Sequence, residues 1–254
     1  MNRSFARAVL ATLVVAGGIV STDANAAFLV RRDPLLDPSE PMGEGIIKPA
    51  DGVRITVTGD GGANFVNVGV GIFSLEAAPS PPGTTFSDLI TFCLEINQVL
   101  DWAEAVHTYN DVSLATGITA GQSNMIGRLW NNSFASVLGD VSGERGERAA
   151  AFQAAIWEIV EDGTGTLDVA AGNFQIQCAT AGDVCTYAAG FLTGLGSGPQ
   201  DPTLIRLASD TQQDLIAFRG GSGGLGDPDP VPAPATLLVL GTALAGLGAL
   251  RRRA

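Results

Sequence analysis

AAFQAAIWEIVED, Ala150 to Asp162, has the spacing of an amphipathic helix. Wound as a helix, it sets Ala149, Ile156 and Val160 on one face, with Trp157 beside them. Gln153 falls on the same face, one turn from Ile156 and Trp157. A neutral amide in an apolar stripe costs about 1–3 kcal/mol unless something satisfies it. The helix therefore requires a partner for Gln153 from elsewhere in the fold.

Upstream the patterning is that of strands. VRITVTG (53–59) and NFVNVGVGIFSLE (64–76) alternate in polarity, with TGDGGAN (58–64) reading as a hairpin turn rather than a calcium loop. DLITFCLEINQ (88–98) also alternates. It is expected to point Ile90, Phe92, Leu94 and Ile96 at the core and Cys93 and Glu95 away from it. NMIGRLWNNSFASVL (124–138) has Ile126, Leu129, Trp130 and Leu138 near helical spacing, with Ser123 or Asn124 as the expected cap. SGERGER (142–148) reads as the solvated approach to the Gln153 helix, and TLIRLASDTQQDLIAF (203–218) is mixed. The expected fold is one α+β domain, a β-sheet or barrel with a helical insertion that carries the Gln153 helix.

The two ends read as addresses. Residues 1–26 carry Arg3 and Arg7, an apolar run from Ala8 to Val20 and the small-residue site Ala24-Asn25-Ala26, the pattern of a secretory signal peptide. The expected domain occupies 27–219. A Gly/Pro/Asp-rich linker follows over 220–234, then an uncharged apolar stretch from Ala235 to Leu250, then Arg251, Arg252 and Arg253. Val231-Pro232-Ala233-Pro234, the glycine-rich apolar helix and the arginines together resemble the PEP-CTERM sorting signal, with Pro-Ala-Pro in place of Pro-Glu-Pro. That resemblance implies an exosortase-type processing enzyme as partner and transient membrane anchorage through the C-terminal helix. It also implies export across the inner membrane of a Gram-negative bacterium, to the cell surface or an extracellular biofilm matrix.

The net charge is −12. Without the two ends, nine basic residues face 25 acidic ones, a net −16. Such a surface repels phosphate backbones, so no nucleic-acid partner is expected. Lys48 is the single lysine. A carrier of an amine-reactive group gains from having few amines, although a genome poor in lysine codons gives the same count. One histidine, His107, and thinly spread carboxylates offer no metal-ligand spacing, and no cofactor motif is present. His107 is read as a surface residue near a helix end.

Cys178 and Cys185 lie in QCATAGDVCTY (177–187), and an oxidising compartment favours a local disulfide between them. That leaves Cys93 as an odd thiol. A lone thiol on a strand and a lone amide on a helix are the two components of an internal thioester. The cysteine sulfur displaces ammonia from the glutamine side chain, which also removes the buried primary amide.

FCLE (92–95) and, some 60 residues later, FQAAIW (152–157) resemble the two signatures of the bacterial thioester domains of surface adhesins. The likeness covers roughly Ala63 to Val160. By resemblance Cys93 is the thiol and Gln153 the acyl donor. Ala155, Ile156 and Trp157 match the Ala-Ile-Trp of the second motif, and Phe152 stands where the family has threonine. Phe92, Ile156 and Trp157 are the expected shield around the bond. The implied function is one-time covalent attachment to an amine- or hydroxyl-bearing surface protein or polysaccharide. The protein would be a stoichiometric adhesin rather than an enzyme. The alternative is a non-reactive structural or binding protein of the extracellular matrix with a free Cys93. An extracellular hydrolase using Cys93 ranks last, because sequence supplies no third group to orient a Cys–His pair.

Overall fold

The computed structural model describes residues 27–32, 46–47, 54–56, 65–80, 85–98, 100, 105–197, 201, 203–220 and 224–225. The expected signal peptide, the expected sorting motif Val231–Pro234, the apolar tail with its arginines and the whole of TGDGGAN (58–64) lie outside them. Along the chain run β1 (Ala27–Arg32), β2 (Ile46–Ile47), β3 (Arg54–Thr56), β4 (Val66–Asn67), β5 (Val70–Gly71), β6 (Phe73–Pro79), β7 (Ser87–Cys93) and β8 (His107–Ser113). Then follow α1 (Ala120–Leu138), α2 (Arg145–Asp162), β9 (Gln175–Ile176), α3 (Val184–Thr193), β10 (Leu204–Ala208) and β11 (Leu215–Phe218).

Six strands close an antiparallel barrel in the order β1-β6-β7-β11-β10-β8. The fold is α+β, and the three helices among the described residues are all inserted between β8 and β10. Directly paired residues share a face of the sheet, so the register names the inner wall. Phe28 pairs with Tyr109, Phe73 with Thr91, Leu75 with Leu89, Leu215 with Cys93 and Leu207 with Asp111. All ten are buried. Strand β8 shows the alternation plainly, with Tyr109 and Asp111 buried and Thr108 and Asn110 exposed. Two small sheets, β2-β5 and β4-β3-β9, lie outside the barrel.

The outer wall at β7 and β11 is covered by helices. Phe92 meets Trp130 and Phe134 of α1 edge-on and Phe152 of α2 at 4.8 Å, while Phe218 meets Trp130 and Phe134. This corrects the expected facing of the Cys93 strand. Phe92 lies outside the barrel under the helices and Cys93 lies inside, so both are buried, and the strand stops at Cys93 rather than running on to Ile96. Helix α2 also differs from an amphipathic surface helix. Every residue from Ala149 to Ile159 is buried, because α1, α3, β5 and β2 all pack against it, the pattern of a helix enclosed on all sides.

Other local expectations change as well. Helix α1 begins at Ala120, capped by Thr119 rather than by Ser123 or Asn124. The Gln122 N–H donates to the Thr119 hydroxyl at 3.2 Å, and the Gln122 side chain accepts the Thr119 N–H at 2.8 Å. The Gln122 amide nitrogen then donates to the carbonyls of Ile159 and Val160, fastening α1 to the end of α2. His107 opens strand β8 rather than lying near a helix end. The mixed segment 203–218 is the β10–β11 hairpin. Cys178 and Cys185 are bridged, and the second of them lies in the first turn of α3. Leu225, within the stretch read as linker, is buried and exchanges backbone hydrogen bonds with Phe218 and Gly220.

Candidate functional site

The register of β6 and β7 leaves a gap that decides the site. Phe73 is opposite Thr91, so continued pairing would put Gly71 opposite Cys93. Gly71 instead pairs with Ile46 in the β2–β5 sheet and has φ 143°, a conformation that side chains disfavour. On the other side of β7 the Leu94 N–H donates to the Asp214 carbonyl at 2.8 Å. The N–H and C=O of an antiparallel residue point to one side and those of the next residue to the other. Those of Cys93 are thus turned toward the missing strand.

Gln153 fills that place. The Cys93 N–H donates to Gln153 Oε1 at 2.7 Å, and Gln153 Nε2 donates to the Cys93 carbonyl at 2.7 Å. The side-chain amide imitates one residue of a neighbouring strand. Gln153 is 0 % and Cys93 1 % exposed, so water reaches neither. Burial pushes the Cys93 thiol well above its ordinary pKa. In this state the amide carbon of Gln153 is held against the residue that bears the sulfur.

Of the expected shield, Phe92 and Ile156 are buried. Trp157 is buried too, but its ring packs on Phe174, 6.1 Å away. The closer cover includes residues that sequence reading did not single out. Phe152, Trp130 and Phe134 surround Phe92, and Trp130 and Phe134 stack at 4.0 Å between centroids. Phe152, where the thioester domains that the sequence resembles have threonine, is a member of this cluster. Tyr109 and Thr91 on the inner wall were also missed. The alternation of HTYNDVS (107–113) was the available signal for Tyr109.

Charged side chains fix the barrel end next to Cys93. Arg206 donates to the Asp214 carboxylate, to the Thr116 carbonyl and, at 3.0 Å, to Glu95. The Gln213 side chain donates to the Glu95 carbonyl. These contacts tie the chain leaving β7 to the turn between β10 and β11. Burial and the Asp214 charge push the Glu95 carboxyl upward, and Arg206 opposes them.

A second buried polar residue on α2 is Glu158. It accepts the Asp168 N–H at 2.6 Å, and its other oxygen has no hydrogen-bond partner. Burial raises its carboxyl to about 7, against the Asp168 N–H and with the help of the Asp162 and Asp168 charges. Among the described residues no group of three or more His, Cys, Asp or Glu side chains is placed to hold a metal. No helix among them is long and apolar enough to cross a membrane. Comparisons with protein-family models, curated proteins and solved structures gave no match to this chain.

Proposed function

We propose that this is an exported adhesion or anchoring protein that forms an internal thioester between Cys93 and Gln153 and uses it once to attach covalently to a partner. The observation that carries the reading is the reciprocal pair of 2.7 Å hydrogen bonds that bring the unbridged cysteine and the buried amide together across 60 residues of chain. In formation, the sulfur bonds to the amide carbon, the carbon–nitrogen bond breaks, and ammonia departs with the thiol proton. In capture, an amine or hydroxyl of a surface protein or polysaccharide bonds to that carbon, and Cys93 is released as a thiol. No turnover follows, so the protein is not an enzyme. Burial of both residues supports the reading, because a shielded thioester survives hydrolysis until a partner arrives. The resemblance of the C-terminal stretch to a PEP-CTERM sorting signal supports a location at the cell surface or in a matrix after exosortase-type processing.

The two hydrogen bonds also favour a second reading. They give both polar atoms of the Gln153 amide a partner as a strand-end cap, which is the role it would have in a passive matrix protein with a free Cys93. A biotinylated primary amine separates the two. The reactive protein takes it up irreversibly at residue 153, located by peptide mapping, and Cys93→Ala abolishes uptake. Absence of label from freshly exported protein would leave the passive reading.

A further inference from the structure

The paired hydrogen bonds fix which hydrogen of the Gln153 amide is used. Oε1 accepts the Cys93 N–H and Nε2 donates to the Cys93 carbonyl, each at 2.7 Å. One flat amide meets the N–H and C=O of a single residue, so the hydrogen it donates is the one on the same side as Oε1. The second hydrogen on Nε2 points away from the pair. The site is closed to water, with Gln153 and Cys93 buried and α2 buried from Ala149 to Ile159.

We propose that the place of Nε2 is an ammonia site in the thioester state, and that ammonia returning to it restores the amide. This rests on the thioester reading above and gives the bond a reversible resting form. The two hydrogen bonds have separate parts. Oε1 carries negative charge while a nucleophile adds to the carbon, and the Cys93 N–H is aimed at it as an oxyanion donor must be. The Cys93 carbonyl holds the leaving nitrogen. Once ammonia has left, that carbonyl is buried without its donor, which is costly, and the vacated place accepts one small N–H donor. In the return step the ammonia nitrogen bonds to the carbon, the carbon–sulfur bond breaks, and one proton passes from nitrogen to sulfur. No other reactant is required.

A larger amine does not refit. Its product is a secondary amide, which favours the trans form. There the substituent lies on the oxygen's side of the nitrogen, where the donated hydrogen now lies. Its first carbon would run into the Cys93 carbonyl oxygen, 2.7 Å from Nε2. Capture of a partner's amine thus forces Gln153 off the end of β7, and the pair cannot re-form. Water is as small as ammonia, but hydrolysis leaves a carboxylate oxygen facing the Cys93 carbonyl. Free ammonium accordingly competes with capture and returns the protein to the amide, whereas capture is final.

The test uses full-length exported protein, heavy-nitrogen ammonium chloride and methylamine at mildly alkaline pH, read by intact mass and peptide mapping. Heavy ammonia should add its whole mass at residue 153 and be lost again when ammonium is removed, while the methylamine adduct persists. Hydrogen exchange at the Cys93 N–H reads the pair itself. It should be as slow in ammonia-restored protein as in the resting amide, and at least about tenfold faster in the methylamine adduct. Protein that takes methylamine but no ammonia overturns the proposal and leaves the thioester standing. So does an ammonia adduct that never reverts, a methylamine adduct that reverts as readily, or equal Cys93 protection in the two adducts. Protein that is never short of ammonia and takes up neither reagent overturns the thioester reading as well.

Discussion

Phe152 packs on Phe92 with ring centroids 4.8 Å apart, so the residues immediately before Gln153 and Cys93 are in contact. This pair sets the approach of helix α2 to the end of β7, and the 2.7 Å bonds between Gln153 and Cys93 complete it. Aromatic packing outside the barrel thereby positions polar chemistry at its wall.

Phe152→Thr introduces the residue that the resembling thioester domains carry and tests what the ring contributes. It removes a fully buried side chain that touches Phe92, Trp130, Phe134 and Phe191. The expected cost is about 3–4 kcal/mol, from lost burial and a residual cavity. Urea unfolding measures it, and a loss under about 1 kcal/mol would mean that the cluster closes around the gap.

Cys93→Ala and Gln153→Ala both prevent a thioester, yet they should differ in stability. The hydrogen bonds of Gln153 go to the main chain of residue 93, so Cys93→Ala keeps them and costs about 1 kcal/mol. Gln153→Ala leaves a buried N–H and C=O without partners and costs about 3–5 kcal/mol. Equal unfolding midpoints for the two variants would contradict the strand-cap geometry.

Asp162 holds the loop that follows α2. Its carboxylate accepts the Asn173 N–H at 2.7 Å and the Phe174 N–H at 2.9 Å. It occupies the space where a side chain at residue 172 would project, and Gly172 has φ 108°. Asp162→Ala should cost about 2 kcal/mol and loosen Phe174 from Trp157, seen as a change in tryptophan fluorescence. An unchanged spectrum and midpoint would show that the loop is held by other contacts.

Glu158 makes stability depend on pH. Its folded carboxyl titrates near 7 against an ordinary value of 4.5. Between those values the folded state binds more proton than the unfolded state, so stability falls as pH rises through the window. The contribution present at pH 4 is lost by pH 8 and amounts to about 2–3 kcal/mol at most. Glu158→Gln keeps an acceptor for the Asp168 N–H and cannot ionise. Its Tm should therefore vary less between pH 5 and 8 than that of the wild type, whatever the offset between them. Parallel curves would contradict the assignment.

The sequence carried the pairing of Cys93 with Gln153 better than it carried the walls around them. A lone amide among Ile156 and Trp157 and a lone cysteine on a strand are both visible as residues out of place. The facing of β7 was not legible, because the barrel buries its inner face and the helices bury its outer one. Alternation marks the core only where one face meets solvent. Strand β8 was missed because HTYNDVS is polar on its outer face and carries a single aromatic inward. Helix α3 was missed because it starts inside the disulfide-closed segment, among small residues that give little periodicity. The Thr119 capping box was present as TAGQ (119–122) but lay upstream of the apolar spacing used to place α1.

The most direct measurement is the intact mass of freshly exported protein before and after methylamine. A thioester predicts a starting mass short by one ammonia beyond the hydrogens lost to the Cys178–Cys185 bridge. Methylamine should then add its entire mass, and Cys93→Ala should show neither effect. A starting mass that retains the full Gln153 amide and does not change with methylamine would contradict the thioester and leave Gln153 as the cap of strand β7.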